Sequence, residues 1–159
     1  MQNSERNLHS LEKFVAIAAL AVGCIQACLD HSVKYAGERQ TMGGPIGRKQ
    51  GVAFQIADLQ VMAEAARVLT YKAAALKDAG GATRDPQAFK QAAAIAKLYA
   101  TESAVTATRI ATQVFGGYGF LEEYPVVRFY RDAKVLEIGE GTSEVQRMLI
   151  ARGLGLPVE

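Results

Sequence analysis

The residues best suited to chemistry lie near the end of the chain, in the turn Gly139-Glu140-Gly141. A glycine on each side of the carboxylate removes side-chain bulk and permits unusual backbone angles, so a substrate can approach the main chain closely. A glutamate held on such a turn, just before a helix, can act as a general base. The alternative is a surface turn that leads into a capped helix, since most turns of this composition have no chemical role.

A second glycine-rich segment, Gly116-Gly117-Tyr118-Gly119, has the composition of a phosphate-binding loop. It follows a predicted helix rather than a strand, so it does not match the dinucleotide fingerprint of a βαβ unit. A helix C-terminus also presents carbonyl groups, which repel anions, and local chemistry favours a helix end with left-handed residues. Arg39, which precedes the glycine-rich loop 40–47, has two interpretations as well: it can hold a phosphate or interact with the helix dipole.

Helices must position these turns, because apolar residues recur at spacings of three and four along most of the chain. The pattern predicts long helices over 8–37, 48–79 and 85–115, a short amphipathic piece over 125–135 and a last helix over 143–152. Asp85-Pro86 is a typical helix start, and Ser143 with Gln146 has capping-box spacing. The apolar pattern predicts burial of residues that include Val33 in the first helix and Phe54 in the second.

No stretch shows clear strand alternation. Three helices of roughly thirty residues and a shorter fourth, joined by short loops, predict an all-α fold, an up-and-down four-helix bundle. We expect a single helical domain over 1–159, with the ordered bundle at about 8–153.

Composition excludes several classes of protein. Half of the residues are hydrophobic, and 18 Lys and Arg against 16 Asp and Glu give a net charge of +2. This balance does not indicate binding to nucleic acid or to a membrane surface. The apolar run 14–29 is short and contains Gln26, so a buried core helix is favoured over membrane insertion.

The two cysteines, Cys24 and Cys28, lie four residues apart in that run and share a helix face. Two cysteines without further ligands make a poor zinc site, so we predict free thiols and no metal site. Nothing in the sequence indicates a disulfide framework, which favours a reducing, cytoplasmic compartment.

Three separated motifs are similar to those of one known family. The first is Tyr35-Ala36-x-x-Arg39-x-Thr41-x-Gly43, followed by Pro45-Ile46 and Gln50. The second is Gln113-Val114-Phe115-Gly116-Gly117-Tyr118-Gly119-Phe120, followed by Glu123-Tyr124-Pro125. The third and most specific is Arg131-Asp132-Ala133-Lys134 with Glu140-Gly141-Thr142-Ser143-Glu144-Val145-Gln146-Arg147. In order and spacing, over about residues 11–153, they resemble the C-terminal helical domain of the acyl-CoA dehydrogenases.

The resemblance implies a role for each matching residue. Glu140 would be the base that takes the α-proton of an acyl-CoA thioester while a hydride leaves the β-carbon for the flavin. Gly139 and Gly141 would leave room for the acyl chain. The positions that match family contacts to the pyrophosphate and adenosine end of FAD, across a subunit interface, are Arg39, Thr41, Gln113, Gly116 and Gly117. Thr142 and Glu144 match positions near the flavin of the same subunit.

The resemblance also implies partners: an acyl-CoA substrate, an electron-transferring acceptor, and a second copy in a homodimer or tetramer. The family's N-terminal helical domain and middle β-domain find no match here. We therefore expect an excised domain, a fragment, or one subunit of a split enzyme whose partner chain carries those domains. Such a chain would be helical, would self-associate, and would bind little or no FAD by itself.

Four departures from the family pattern bear on the substrate. Gly139 stands where many members have a tyrosine, and Met42 replaces a frequent phenylalanine. Leu11 and Phe14 fall where many members have an Asp and an Arg that orient the substrate. These changes fit a bulky or branched acyl group, or a non-catalytic subunit that keeps the fold and mediates assembly. An acyl-CoA oxidase is a third interpretation that the sequence leaves open.

Overall fold

The computed structural model describes residues 2–80 and 84–159. Within those ranges the helices are α1 (Gln2–Glu38), α2 (Gln50–Asp78), α3 (Pro86–Phe115), α4 (Pro125–Ile138) and α5 (Ser143–Gly153). The predicted all-α fold is confirmed, and the piece predicted over 125–135 is a complete α-helix that extends to Ile138.

α3 is the central helix, since it packs against each of the other four. Its buried face is mostly alanine, and the side chains are small enough for neighbouring helix axes to approach closely. The alanines with no exposed surface are Ala93, Ala94, Ala96, Ala100, Ala104, Ala107 and Ala111. α1 and α2 flank α3 along its length, and the short helices α4 and α5 complete the bundle around it.

The loop after α1 contains a short antiparallel pair, β1 (Gln40–Thr41) and β2 (Gly44–Pro45). Met42 and Gly43, with φ of 48° and 84°, connect the strands. Positive φ at both central residues is the signature of a tight type I′ turn, which Gly43 makes favourable. The sequence did not predict this pairing, because two-residue strands are too short to show alternation.

The structure tests the predicted N-caps of α3 and α5. Asp85 caps α3, because its carboxylate accepts the Ala88 N–H at 3.0 Å, with Pro86 in the first turn. The capping box on Ser143 is wrong: Thr142 is the extended residue before α5, and its hydroxyl oxygen accepts the Val145 N–H at 3.4 Å. Ser143 is already helical, and the two neighbouring hydroxyls cannot be told apart by residue type alone.

Two residues predicted to be buried are exposed: Val33 at 52% and Phe54 at 62%. The buried stripe of α2 runs at alternating spacings of four and three, through Leu59, Ala63, Ala66, Thr70 and Ala73. Phe54 instead belongs to a row seven residues apart, with Val61 and Val68, on the outer side of the helix. α2 therefore carries a second apolar row that the bundle itself does not cover.

α1 from Leu11 to Glu38 is long and apolar enough to cross a membrane by length and composition alone. Its inner residues Ala18, Ala21 and Ile25 are fully buried in the main hydrophobic core, as expected for a core helix. Both cysteines are free thiols, as predicted, with Cys28 buried and Cys24 half-buried.

Candidate active site

Glu140 lies on the turn between α4 and α5 in a backbone conformation that is unusual for its type. Its φ is 54°, and that of Gly141 is 102°. Glycine adopts such angles freely, whereas a residue with a Cβ is strained by about 1–2 kcal/mol. Strain of this kind persists where the surroundings hold the residue, and it is concentrated at functional sites. The conformation of Glu140 therefore marks the turn as a candidate site.

Lys97, in the middle of α3, contacts the backbone of this turn from the interior of the bundle. The side chain is fully buried, and its Nζ donates to the Glu137 carbonyl at 3.1 Å and to the Gly141 carbonyl at 2.6 Å. The buried amide of Gln146 donates to the same Gly141 oxygen at 3.2 Å. Sequence reasoning missed Lys97, although a lysine spaced four and three residues from buried alanines of one helix face was a signal that could have found it.

Burial lowers the pKa of Lys97, because an ammonium loses hydration there. The carboxylates of Glu137, Glu144 and Glu102 act in the opposite direction. Two backbone carbonyls replace part of the lost hydration, as buried charged donors require. Lys97 therefore belongs to the site as the group that fixes its backbone.

The carboxylate of Glu140 reaches the surface of this chain. It is 45% exposed and forms an ion pair with Lys13 of α1, at 3.2 and 3.3 Å from the two oxygens. An ion pair this exposed contributes at most about 1 kcal/mol, so it can open readily. The geometry leaves the carboxylate free to meet a partner molecule or another domain.

The two glycines of the turn have different structural roles. Gly139 has an ordinary extended backbone, and a Cβ there would meet only the Val135 carbonyl at 3.2 Å. Gly141 needs its positive φ, and a Cβ there would lie 3.1 Å from Nε2 of Gln146. Room for an acyl chain beside either glycine stays a prediction, but Gly141 also has a clear conformational requirement.

Thr142 and Glu144, both predicted cofactor contacts, follow directly at the N-terminus of α5. Thr142 is the cap residue, while Glu144 is exposed in the first turn. Hydrogen bonds from its own backbone amide and from the Thr142 hydroxyl lower the pKa of Glu144. Glu140, Thr142 and Glu144 thus lie close together in the chain, on the turn and in the first turn of α5.

A separate groove of about 370 Å³ lies at the C-terminal end of α3. Arg39, Gly116 and Gly117 line it together, as the sequence prediction requires. α3 ends at Phe115, as predicted, but Gly116 has a φ of 60° with a ψ of −137°, a conformation that glycine permits and that differs from the predicted left-handed one. A Cβ on Gly116 or Gly117 would meet no atom within 4 Å, so the backbone there is open to a ligand.

Aromatic side chains form the walls of this groove. The guanidinium of Arg39 lies 5.0 Å from the centre of the Tyr118 ring, a cation–π geometry, rather than simply at the end of α1. Tyr35 stacks on Phe115 with ring centres 4.0 Å apart. Burial raises the pKa of Tyr35. A cation and flat rings beside unobstructed glycine backbone are suited to an anionic group attached to an aromatic base.

The remaining predicted contacts with this part of the cofactor, Gln113 and Thr41, are not in the lining of this groove. Gln113 and Gly116 line an adjoining pocket of about 200 Å³. Thr41 is exposed in β1, two residues beyond Arg39. From Lys97 to Gly116, α3 advances about 28 Å, at about 1.5 Å per residue. The structure therefore gathers the predicted residues into two sets, one at the Glu140 turn and one at the groove, and does not bring the two sets together.

Comparison with known proteins gives this helical bundle a family. Residues 13–155 match the family described as the acyl-CoA dehydrogenase C-terminal domain. The chain belongs to the acyl-CoA dehydrogenase family, and the resemblance of its motifs is confirmed.

Individual relatives agree with this assignment. A probable acyl-CoA dehydrogenase of Bacillus subtilis, YngJ, is 49% identical over 140 residues, which are 88% of this chain and 35% of that protein. The solved butyryl-CoA dehydrogenase of Megasphaera elsdenii superposes with a TM-score of 0.88 at 41% identity, over 94% of this chain and 37% of that one. PigA, solved with FAD and proline, gives a TM-score of 0.87 at 32% identity over 94% and 37% of the two chains. The chain thus spans about a third of the length of these relatives.

Proposed function

We propose that this chain forms the C-terminal helical domain of an FAD-dependent acyl-CoA dehydrogenase in which Glu140 is the catalytic base. The observation that supports this most is the conformation of Glu140: a left-handed residue on a turn held by the buried donors Lys97 and Gln146. The exposed turn at Met42 has a similar φ of 48°, so the buried donors distinguish the Glu140 turn: an ordinary solvated turn does not need a buried cation. Membership of the family supplies the reaction class.

The chemistry assigns the carboxylate a defined task. The α-C–H bond of a thioester is a weak acid, so its carbonyl must be polarised, and a backbone amide beside the base can do that. Glu140 takes the α-proton onto a carboxylate oxygen, and the electron pair of that C–H bond forms the α,β double bond. FAD, when bound, supplies the acceptor for the hydride that leaves the β-carbon. Closure of the site by further domains would desolvate Glu140 and strengthen it as a base.

The groove at the end of α3 is the proposed site for part of the FAD. Its lining fits the pyrophosphate and adenosine: Arg39 is a permanent cation, the space beside the Gly116-Gly117 backbone is empty, and aromatic rings supply flat faces. Gln113 lines the adjoining pocket and Thr41 is exposed in β1. Thr142 and Glu144 follow the turn that Lys97 contacts, and Lys97 is about 28 Å from Gly116 along α3. We assign the two sets to the cofactors of two different subunits, which requires the enzyme to be at least a dimer.

Self-association has a candidate surface. Phe54, Val61 and Val68 form an exposed apolar row on α2 that no other part of the described chain covers. Surface apolar rows of this kind mark protein contacts more often than free surface. Sedimentation of the chain should show a dimer or tetramer, and a monomer at micromolar concentration would contradict this part of the proposal.

The test of the base is Glu140→Gln in the flavin-loaded enzyme that contains this domain. The amide keeps the shape of the side chain and cannot accept the proton, so we expect dehydrogenation of acyl-CoA to slow by about 10² to 10⁴. Glu122→Gln is the matched control, because Glu122 is an exposed carboxylate paired only with Arg131 across the surface. Unimpaired turnover in Glu140→Gln, measured with an electron-transferring acceptor and a panel of acyl-CoAs, would refute the assignment.

A non-catalytic assembly domain is the second candidate. The ion pair between Lys13 and Glu140 favours it, because the carboxylate proposed as the base is already paired with a cation. If so, the unsubstituted flavin-loaded protein would assemble but would oxidise no acyl-CoA of the panel.

An acyl-CoA oxidase is the remaining alternative. Rapid reoxidation of the reduced enzyme by oxygen, in place of the electron-transferring acceptor, would identify an oxidase.

A further inference from the structure

Lys97 is the one charged residue among the fully buried side chains of the described chain. Ammonium groups are expensive to bury, at several kcal/mol each, and an apolar residue of similar volume is often neutral or more stable. Lys97 is surrounded on α3 by alanines, whose packing does not need a cation. Stability of the bundle alone therefore does not explain a lysine at this position.

The contacts of Lys97 point to one place. Its two acceptors, the carbonyls of Glu137 and Gly141, lie on either side of Glu140, three residues before it and one after. The Glu137 carbonyl lies in the last turn of α4, where helix carbonyls lack a helical partner. One ammonium thus ties together both ends of the turn that carries the base.

Gln146 supplies a second, independent anchor. It is fully buried in α5, and its amide donates to the Gly141 oxygen that Lys97 also contacts. Lys97 comes from the central helix and Gln146 from the helix after the turn, so the position of Gly141 is fixed against both. Glu140, with its strained φ of 54°, is held between these fixed points.

We propose that Lys97 is a positioning residue for the base: it holds the backbone of the turn so that the Glu140 carboxylate stays where the α-proton must be removed. The inference rests on the proposed function of Glu140. Lys97 contacts backbone only, so it acts through the turn rather than on the substrate. A misplacement of about 1 Å at a reacting group can reduce a rate by about 10²-fold, which is the effect that such a residue prevents.

The principal test is Lys97→Met in the flavin-loaded enzyme, compared with Thr101→Val. Methionine fills the volume and removes the donors. Thr101 is equally buried, one turn further along α3, and bonds only to carbonyls of its own helix, at Lys97 and Leu98. We expect Lys97→Met to lower kcat by about 10²-fold with little change in KM, while Thr101→Val stays within about threefold.

A second readout does not depend on turnover. Amide hydrogen exchange at residues 139–142 should become faster in Lys97→Met and stay unchanged in Thr101→Val, because local opening reports the loss of local anchoring. Gln146→Met removes the other donor to Gly141 and should give an intermediate fall in kcat, about tenfold. This variant tests the same anchoring if Lys97→Met does not fold.

The outcomes separate the two proposals. Full activity in Glu140→Gln would overturn the proposed function. A large loss in Glu140→Gln combined with normal kcat in both Lys97→Met and Gln146→Met would overturn the positioning role alone. A loss in Lys97→Met that is matched by Thr101→Val, or amide exchange that rises evenly over α3, would show a general packing defect and also overturn it.

Discussion

The two glycine-rich turns of this chain look alike in sequence and differ in what surrounds them. The backbone of the Gly139-Glu140-Gly141 turn is hydrogen-bonded by buried donors, and Glu140 has a strained backbone and an exposed carboxylate. The 116–119 segment ends a long helix and opens into a groove lined by rings and Arg39. Gly141 supplies a required backbone angle in the first, and Gly117 leaves empty space beside the backbone in the second, so composition alone does not reveal what a glycine contributes.

Gly119 sharpens this contrast within the second segment. A Cβ at Gly119 would lie 2.7 Å from the Thr112 carbonyl oxygen, whereas one at Gly117 would meet no atom within 4 Å. One glycine is therefore required for packing, and its neighbour is available to a ligand.

The largest stability effect is expected for Gly119→Ala. Backbone must move to relieve the contact with Thr112, so the free energy of unfolding should fall by about 1–3 kcal/mol. Gly117→Ala is the matched control and should stay within about 0.5 kcal/mol. Urea denaturation of the chain checks both, and equal losses would show that the segment is not divided in this way.

Arg39→Met tests the groove as a cofactor site. Loss of a charged donor to the pyrophosphate should weaken FAD binding about tenfold or more, equivalent to about 1.4 kcal/mol. Lys34→Met is the matched control: it also removes one positive charge near the end of α1, but Lys34 does not line the groove. Equal flavin affinity in the two variants, measured by fluorescence titration of the full enzyme, would exclude Arg39 as a specific contact.

Lys13→Met should have the smallest effect. Its exposed pair with Glu140 should contribute less than about 1 kcal/mol to stability, and that contribution should disappear at high salt. Amide exchange at residues 139–142 should match that of the unsubstituted protein, because Lys97 rather than Lys13 contacts the backbone of the turn. If the turn opens in Lys13→Met, the anchor has been assigned to the wrong lysine.

The sequence predicted helix ends correctly where only one local motif could start or stop the helix. Asp85-Pro86 defined the start of α3, and its end at Phe115 followed from the glycines after it. The sequence pattern favours Ser143 over Thr142 as the cap of α5, because the two residues are adjacent and both carry a hydroxyl; in the structure Thr142 is the extended residue that caps the helix. Phe54 was placed inside because α2 carries two apolar rows, and only packing against α3 selects one.

The candidate site was predictable where its residues are neighbours in the chain. Glu140, Thr142 and Glu144 lie within one five-residue segment, so a local motif contains all three. Arg39 and Gly116 line the same groove because the C-terminal ends of α1 and α3 pack together. The family motifs imply that the two residues are close in space, whereas the local sequence pattern does not. Lys97 was missed because a lysine in a helix is ordinarily solvated, and its burial is a property of the bundle.

The central claim is that Glu140, on its anchored turn, removes the α-proton. The most direct measurement is exchange of that proton with solvent deuterium, in the flavin-loaded enzyme, using an acyl-CoA analogue without a β-hydrogen so that only proton abstraction can occur. We predict exchange in the native enzyme and a rate lower by about 10² or more in Glu140→Gln. Equal exchange in the two proteins would contradict the account.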